Sequence, residues 1–296
     1  MKQIINGNEY NLSKNVRNSE VHRASFNQLS KRIFNLDFEP WYQSGYWGDL
    51  YIPYTLSYNH TVVANVSVSP ITFKWGNQRK RYVQLGTVMT EPEYRGKGLS
   101  RWLMNIVLEE WIKNCDAIFL FANDSVREFY PKFGFVEATQ YQYYKSVSPV
   151  VNNVRRLDMS LDSDRQLLLD RYKLSNPFSA FSMEENPGLL MFYCLQFLKD
   201  NIFYIEQYEA VVIAETKDTN LLCYDIFCPM GVSMDAILSS VASANTESVV
   251  LGFTPKNIGD YQVSKLNEAN TTLFLLGNKE NLFNDNRLMF PLLSHT

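Results

Sequence analysis

The stretch Val83–Trp111, VQLGTVMTEPEYRGKGLSRWLMNIVLEEW, decides the reading of the fold. Val83, Leu85 and Val88 are apolar, and the run Tyr82–Met89 holds one Gly and no Pro, which predicts a strand. Pro92 has no N–H to give to a ladder and ends it. From there apolar residues recur at Leu99, Trp102, Leu103, Ile106, Val107 and Trp111, one face of a helix. Between strand and helix lies Glu93-Tyr94-Arg95-Gly96-Lys97-Gly98. Glycines let the backbone turn tightly and let a ligand come close to the main chain. The first turn of a helix presents unpaired N–H groups and a partial positive charge. With Arg95 and Lys97 adding cations, the segment suits a diphosphate. Taken alone, it is also compatible with a surface turn carrying chance basic residues. It is neither a G-x-x-x-x-G-K-[ST] loop nor a G-x-G-x-x-G fingerprint.

Pro92–Met104, PEYRGKGLSRWLM, resembles motif A of the GNAT superfamily of N-acetyltransferases, R/Q-x-x-G-x-G/A, with Arg95, Gly98 and Ser100 at its marked positions. Ser100 departs from Gly or Ala but is still small. Asn123–Phe135, NDSVREFYPKFGF, is similar to the family's N-x-x-A-x-x-x-Y-x-K-x-G-F segment, with Val126 in place of Ala. Two signatures in the right order, separated by a helix and the strand Ala117–Phe121, are far more specific than either alone. The resemblance covers roughly the first 160 residues.

The resemblance implies acetyl-CoA as cofactor. Its pantetheine arm is expected along Val88, Met89 and Thr90, and its pyrophosphate on the turn Arg95, Gly96, Lys97, Gly98, Leu99 and Ser100, with Asn123 of the second signature nearby. A backbone N–H at Met89 or Thr90 is expected to meet the developing oxyanion. Tyr130 matches the tyrosine that commonly protonates the departing thiolate; packing on the cofactor or in the core is its other reading. Glu91, at the end of the cradle strand, is the first candidate to take the amine's proton and Glu39 the second.

Composition narrows the class. At 296 residues, 46% hydrophobic and 20% charged, the chain is globular and long enough for two domains. Net charge −3 and pI near 5.7 argue against nonspecific nucleic-acid binding. Lys74, Arg79, Lys80 and Arg81 cluster on one hairpin, which reads first as a solvated turn. No apolar run resembles a signal peptide or a membrane span, so a cytoplasmic protein without membrane contact is expected. The cysteines Cys115, Cys194, Cys223 and Cys228 form no C-x-x-C, and His22, His60 and His295 are widely scattered, so no metal site is expected.

Elsewhere Ser19–Phe34 has helical periodicity, and Tyr51–Tyr58 and Val62–Phe73 read as strands around a turn at Asn59-His60-Thr61. Phe135–Tyr144 and Val150–Met159 read as a closing strand pair. The second half repeats the order: strands at Phe203–Glu215 and Leu221–Cys228, a helix at Met234–Ala244, and strands at Ser248–Phe253 and Thr271–Leu276. The fold class expected is α/β (α+β), with two acetyltransferase-like domains. Each is a mixed, mostly antiparallel sheet flanked by helices. Residues 1–161 form the catalytic domain and 162–296 a degenerate copy. Before the second helix stand only Met230-Gly231-Val232-Ser233, with no arginine and no second glycine, so one cradle per chain is expected. The second half is open to three roles: shaping the acceptor site, forming a homodimer interface, or stabilising the fold.

Leu36–Tyr58 is rich in aromatics broken by Pro and Gly. In the family this segment helps wall the acceptor pocket. Glu39, Trp41, Tyr46 and Trp47 are therefore candidates to bind an amine, carboxylates holding an ammonium and rings covering its carbon chain. Filling a core between the halves is an equally good reading of the rings. The expected function is acetyl transfer to a primary amine, on a small molecule or a peptide, by direct attack in a ternary complex. A catalytically inactive acyl-CoA-binding regulatory or scaffold protein is the alternative, and a different acyl group or a hydroxyl acceptor is a third reading.

Overall fold

A computed structural model describes residues 1–14 and 16–296. In chain order the elements are a hairpin of β1 (Lys2–Ile5) and β2 (Asn8–Ser13), α1 (Glu20–Phe34), α2 (Glu39–Gln43), β3 (Ile52–Tyr58), β4 (Thr61–Trp75), β5 (Gln78–Thr90), α3 (Leu99–Trp111), β6 (Ala117–Ala122) and β7 (Phe135–Glu137). There follow β8 (Tyr141–Ser146), β9 (Val154–Arg156), α4 (Asp162–Tyr172), β10 (Phe181–Glu184), α5 (Pro187–Gln196), β11 (Ile202–Ile205), β12 (Ala210–Lys217), β13 (Asn220–Phe227), α6 (Met234–Val241), β14 (Ser248–Leu251), β15 (Gln262–Lys265) and β16 (Thr272–Leu276). The expected strand over 203–215 is two strands, because a 3-10 turn at Glu206–Tyr208 ends with Glu209 in the left-handed region and reverses the chain.

The strands form two mixed, mostly antiparallel sheets flanked by helices. The first runs β1-β2-β3-β4-β5-β6-β16-β7, with β10 on β4; the second runs β15-β8-β14-β13-β12-β11-β9. In each, one helix crossover joins a parallel pair, α3 between β5 and β6 and α6 between β13 and β14. Outside each parallel pair lie two further antiparallel strands, and here the halves trade. The strand beside β6 is β16, from the far end of the chain. The strand beside β14 is β8, from the first half. β7 then pairs with β16, and β15 with β8. The expected pair of 135–144 with 150–159 therefore does not form. β7 stays in the first sheet, while β8 and β9 sit in the second at separate positions. Residue 161 does not divide the sheets either: β8 and β9 cross it one way, β10 and β16 the other.

Side-chain alternation gives the first sheet two buried faces. Val63, Val66, Val68, Val83 and Leu85 meet Leu99, Leu103, Met104 and Val107 of α3. Val62, Ile71, Phe73, Tyr82 and Met89 meet Phe26 and Leu29 of α1, together with Phe181, Phe192, Phe283 and Phe290 from the second half of the chain. The two halves thus share one continuous core on the α1 side. Lys74, Arg79 and Lys80 of the basic hairpin pair with Glu184, Glu185 and Glu280, so the cluster is neutralised by the second half.

Candidate active site

β5 and β6 are paired only from Tyr82–Leu85 against Ala117–Leu120, and beyond Leu85 they part. On the other edge β5 bulges: Asn65 opposes Met89 and Ser67 opposes Gly86, with Thr87 at φ 42°. The two strands therefore part along Gly86–Thr90, where residue 296 lies over Gly86, with Val88 turned to the α3 face and Met89 to the α1 face.

The turn that follows leads into α3. Gly96 and Gly98 have φ of 76° and 77°, where side chains other than Gly are strained. Gly98 is the N-cap of α3 and supplies no capping oxygen. No described residue accepts from the N–H groups of residues 96–101. That leaves a ring of free donors at a helix N-terminus, the geometry expected for an anion seat. Arg95 is drawn back to the strand end, Nε to Thr90 O at 3.4 Å, and Thr90 Oγ1 meets Ser100 Oγ at 2.5 Å. Lys97 Nζ lies 4.3 Å from the Tyr94 ring centroid. The β1–β2 turn braces the loop: Asn6 Nδ2 donates to Lys97 O at 2.9 Å.

The second half handles the same position differently. Ser233 caps α6, its hydroxyl accepting from Ala236 N–H at 3.3 Å. One residue type at the N-cap separates a helix start with a side-chain cap from one without.

Asn123 is exposed at the end of β6 and opens the turn carrying Tyr130. Tyr130 is buried among Phe129, Phe135 and Phe274, the last from β16. Desolvation pushes its phenol up to about 12, so it holds its proton at neutral pH.

The acceptor-side expectations need correction. Trp41 and Trp47 are buried and stack at 5.7 Å; Phe38 stacks on Tyr51 and on Phe192 of α5. Trp41 Nε1 donates to Gly188 O at 2.8 Å, and Trp47 Nε1 to Tyr51 O at 3.2 Å. These rings are the core between the halves, with their polar atoms already used. Tyr46 is half-buried, its carbonyl packed on Gly188. Glu39 receives the buried Arg23 at 2.9 Å, with Asn27 and Gln43 also donating; the Arg23 hydrogen bond holds its carboxyl below the usual range. Neutralising Arg23 occupies the carboxylate that was expected to meet an ammonium. Glu91 is held by Arg32 beside a surface cleft of about 340 Å³ between α1, Tyr58 and Tyr94.

What the sequence reading missed lies on the α1 face of β4 and β5. Asn65, Ser67 and Ser69 alternate with Val66 and Val68, and all three are buried. Asn65 Nδ2 donates to Ser67 Oγ at 2.9 Å and to Thr87 O at 2.8 Å, and Tyr51 Oη meets Thr87 Oγ1 at 2.7 Å. The signal was the period-two polar run itself, which fits a buried polar face as well as a solvated one.

Residues 18–135 match the model of the Acetyltransferase (GNAT) family. The match covers this part of the chain, and the two-sheet architecture is a GNAT-type fold. The whole chain resembles a conserved protein of unknown function from Enterococcus faecalis V583 (TM-score 0.60, 14% identity, covering 94% of this chain and 73% of that one). It also resembles a GCN5-related N-acetyltransferase from Kribbella flavida (TM-score 0.55, 17% identity, 90% and 71%). Eis1 from Mycobacterium abscessus is similar to the same degree (TM-score 0.57, 13% identity, 89% and 72%). Identities this low speak to the fold. No curated protein matches the chain significantly. Among the described residues no cluster of metal-ligating side chains occurs, and no helix is long and apolar enough to cross a membrane.

Proposed function

We propose that the protein is an acetyl-CoA-dependent N-acetyltransferase that acylates a primary amine by direct attack in a ternary complex. The observation that carries this reading is the uncapped start of α3, six unpartnered N–H groups beside a strand that parts from its parallel neighbour. The residues present fit the cofactor: N–H groups 96–101 for its diphosphate, Arg95 and Lys97 for added charge, and the unpaired edge Val88–Thr90 for its pantetheine amides. Bound there, acetyl-CoA supplies an activated acetyl thioester. Tyr130 keeps a proton on its hydroxyl for the thiolate that leaves: a phenol at its ordinary pKa of about 10 is already protonated at neutral pH, and burial pushes the value further up. Burial of the α1 face under the second half excludes water from that side of the parted strands.

The second sheet is, in this proposal, a degenerate copy of the first. The order β12-β13-β14 with α6 as crossover supports it, and Ser233 on the α6 amides is why it holds no second cofactor. The test is release of free thiol from acetyl-CoA against a panel of amines, with CoA affinity measured by calorimetry. CoA binding together with amine-dependent thiol release is expected. Binding without release for any amine would leave only a CoA-binding role.

A further inference from the structure

The chain segment 290–296 lies over the α1 face of β4 and β5, and beneath it the wall changes character. Phe290 packs on Phe73 and Tyr82. Ser69, four residues back along β4 from Phe73, and Gln84, two residues on from Tyr82 along β5, are cross-strand partners on the same face. Asn65, Ser69 and Gln84 are 0%, 1% and 1% exposed, and each leaves an atom without a partner: Asn65 Oδ1, Ser69 Oγ and Gln84 Oε1. His295 Nε2 and Thr296 Oγ1, on the covering segment, are unpartnered too. Gln84 Nε2 reaches Thr296 O only at 3.3 Å, and residue 296 lies directly on Gly86. Folded proteins leave few buried polar atoms unsatisfied, so five at one seam ask for a partner.

The chemistry of that partner follows from the atoms. Asn65 Oδ1 and Gln84 Oε1 accept only. His295 packs on Phe121, ring centroids 4.1 Å apart and tilted by 35°, and burial holds its imidazole unprotonated, with pKa down to about 4. The Phe290 backbone interacts with the ring and Nε2 is left bare as a third acceptor. Each of the three takes an N–H donor. The neighbouring positions are small, Ser67, Gly86 and Thr87, and residue 296 fills the space over Gly86. The strip adjoins the bulge at Thr87, immediately before Val88–Thr90.

We propose that this acceptor-rich strip beneath residues 290–296 is the seat of the acceptor amine and selects an unbranched primary aminomethyl group, taking its N–H donors on Asn65, Gln84 and His295. The entering group lifts residue 296 off Gly86. The proposal rests on the acetyltransferase reading above and adds the substrate class and the residues that choose it.

The test is calorimetric titration of 1,4-diaminobutane into the CoA-loaded full chain. Gln84→Met and Asn65→Leu, which keep size and remove the acceptor, are expected to weaken diamine binding about tenfold each, the loss of one well-made hydrogen bond, with CoA affinity unchanged. Gln84→Glu keeps the acceptor and adds charge, so it binds the diamine at least as tightly as wild type. tert-Butylamine, branched at the amine carbon, binds more weakly than n-butylamine. The assignment is overturned if the CoA-loaded wild type does not bind the diamine, if Gln84→Met and Asn65→Leu both bind it as wild type does, or if Gln84→Glu weakens it tenfold. Failure of the enzymatic reading is a different result: no amine then releases thiol from acetyl-CoA. Failure of the seat alone leaves amine-dependent thiol release intact and insensitive to Gln84→Met.

Discussion

Replacing Phe274 by Ala removes a ring that belongs by sequence to the second half and by position to the first sheet. Phe274 is buried on β16, opposite Leu120 of β6 on one side and Glu137 of β7 on the other, with its ring centroid 6.0 Å from that of Tyr130. Truncating a buried Phe to Ala costs about 3–5 kcal/mol, transfer and cavity together. At about 2–4 °C per kcal/mol for a chain of this order of size, the melting temperature falls by roughly 6–20 °C. The loss is not confined to one sheet. β16 is anchored in the first and β8 in the second, so neither sheet completes its strand order without the other half of the chain. Scanning calorimetry therefore shows one transition for wild type and variant alike. Hydrogen exchange shows β5–β6 and β12–β13 losing protection together. Two resolved transitions, with β12–β13 protected as in wild type while β5–β6 opens, would refute the coupling.

Further outcomes follow from the site. Tyr130→Phe slows thiol release about a hundredfold or more with CoA affinity unchanged, since it removes only the donated proton; rates within twofold of wild type would remove Tyr130 from the mechanism. Gly98→Trp weakens CoA at least tenfold by calorimetry: the position needs φ 77°, and even a Cβ would stand 3.0 Å from Asn6 Nδ2. Glu91→Gln changes turnover less than about threefold, because the carboxylate serves Arg32; a loss on the order of a hundredfold would return it to the role of proton acceptor. For His295 the folded pKa, about 4, lies below the unfolded value near 6.5, so its contribution is full above pH 6.5 and is lost as pH falls toward 4. Urea midpoints at pH 7 and pH 5 show wild type losing on the order of 2 kcal/mol from this group, a loss that His295→Gln does not share; equal losses in both would contradict it.

The parts of this molecule that were legible in its sequence are those in which neighbouring residues decide. Strand, glycine turn and helix over 83–111 follow from period, breaker and N-cap chemistry, all within one short window. The helix over 20–34, with Ser19 as its cap, and the hairpin of β3 and β4 were readable for the same reason. Pairing between distant strands was not. β16 announces itself as an apolar run, but nothing in TLFLL states whether its neighbour is β6 or β14. The aromatic loop was ambiguous because large rings suit cores and pockets equally, and Gly188, which takes the Trp41 indole N–H, lies 147 residues away. His295 reads as a lone histidine near the end of the sequence, and only the fold lays it on Phe121, with its neighbour Thr296 meeting Gln84.

The exchanged strands also set a clock. β6, the apolar AIFLFA, has its antiparallel partner some 150 residues further along the chain. At synthesis rates of about 5–20 residues per second, Leu276 emerges roughly 8–30 s after Ala122. Throughout that interval β6 offers an unpaired edge of the kind that recruits other chains. Assembly of the fold therefore waits on its last strand, and the protection of that waiting edge, by a chaperone or by rapid folding once the strand arrives, decides how much of each newly made chain reaches the native state.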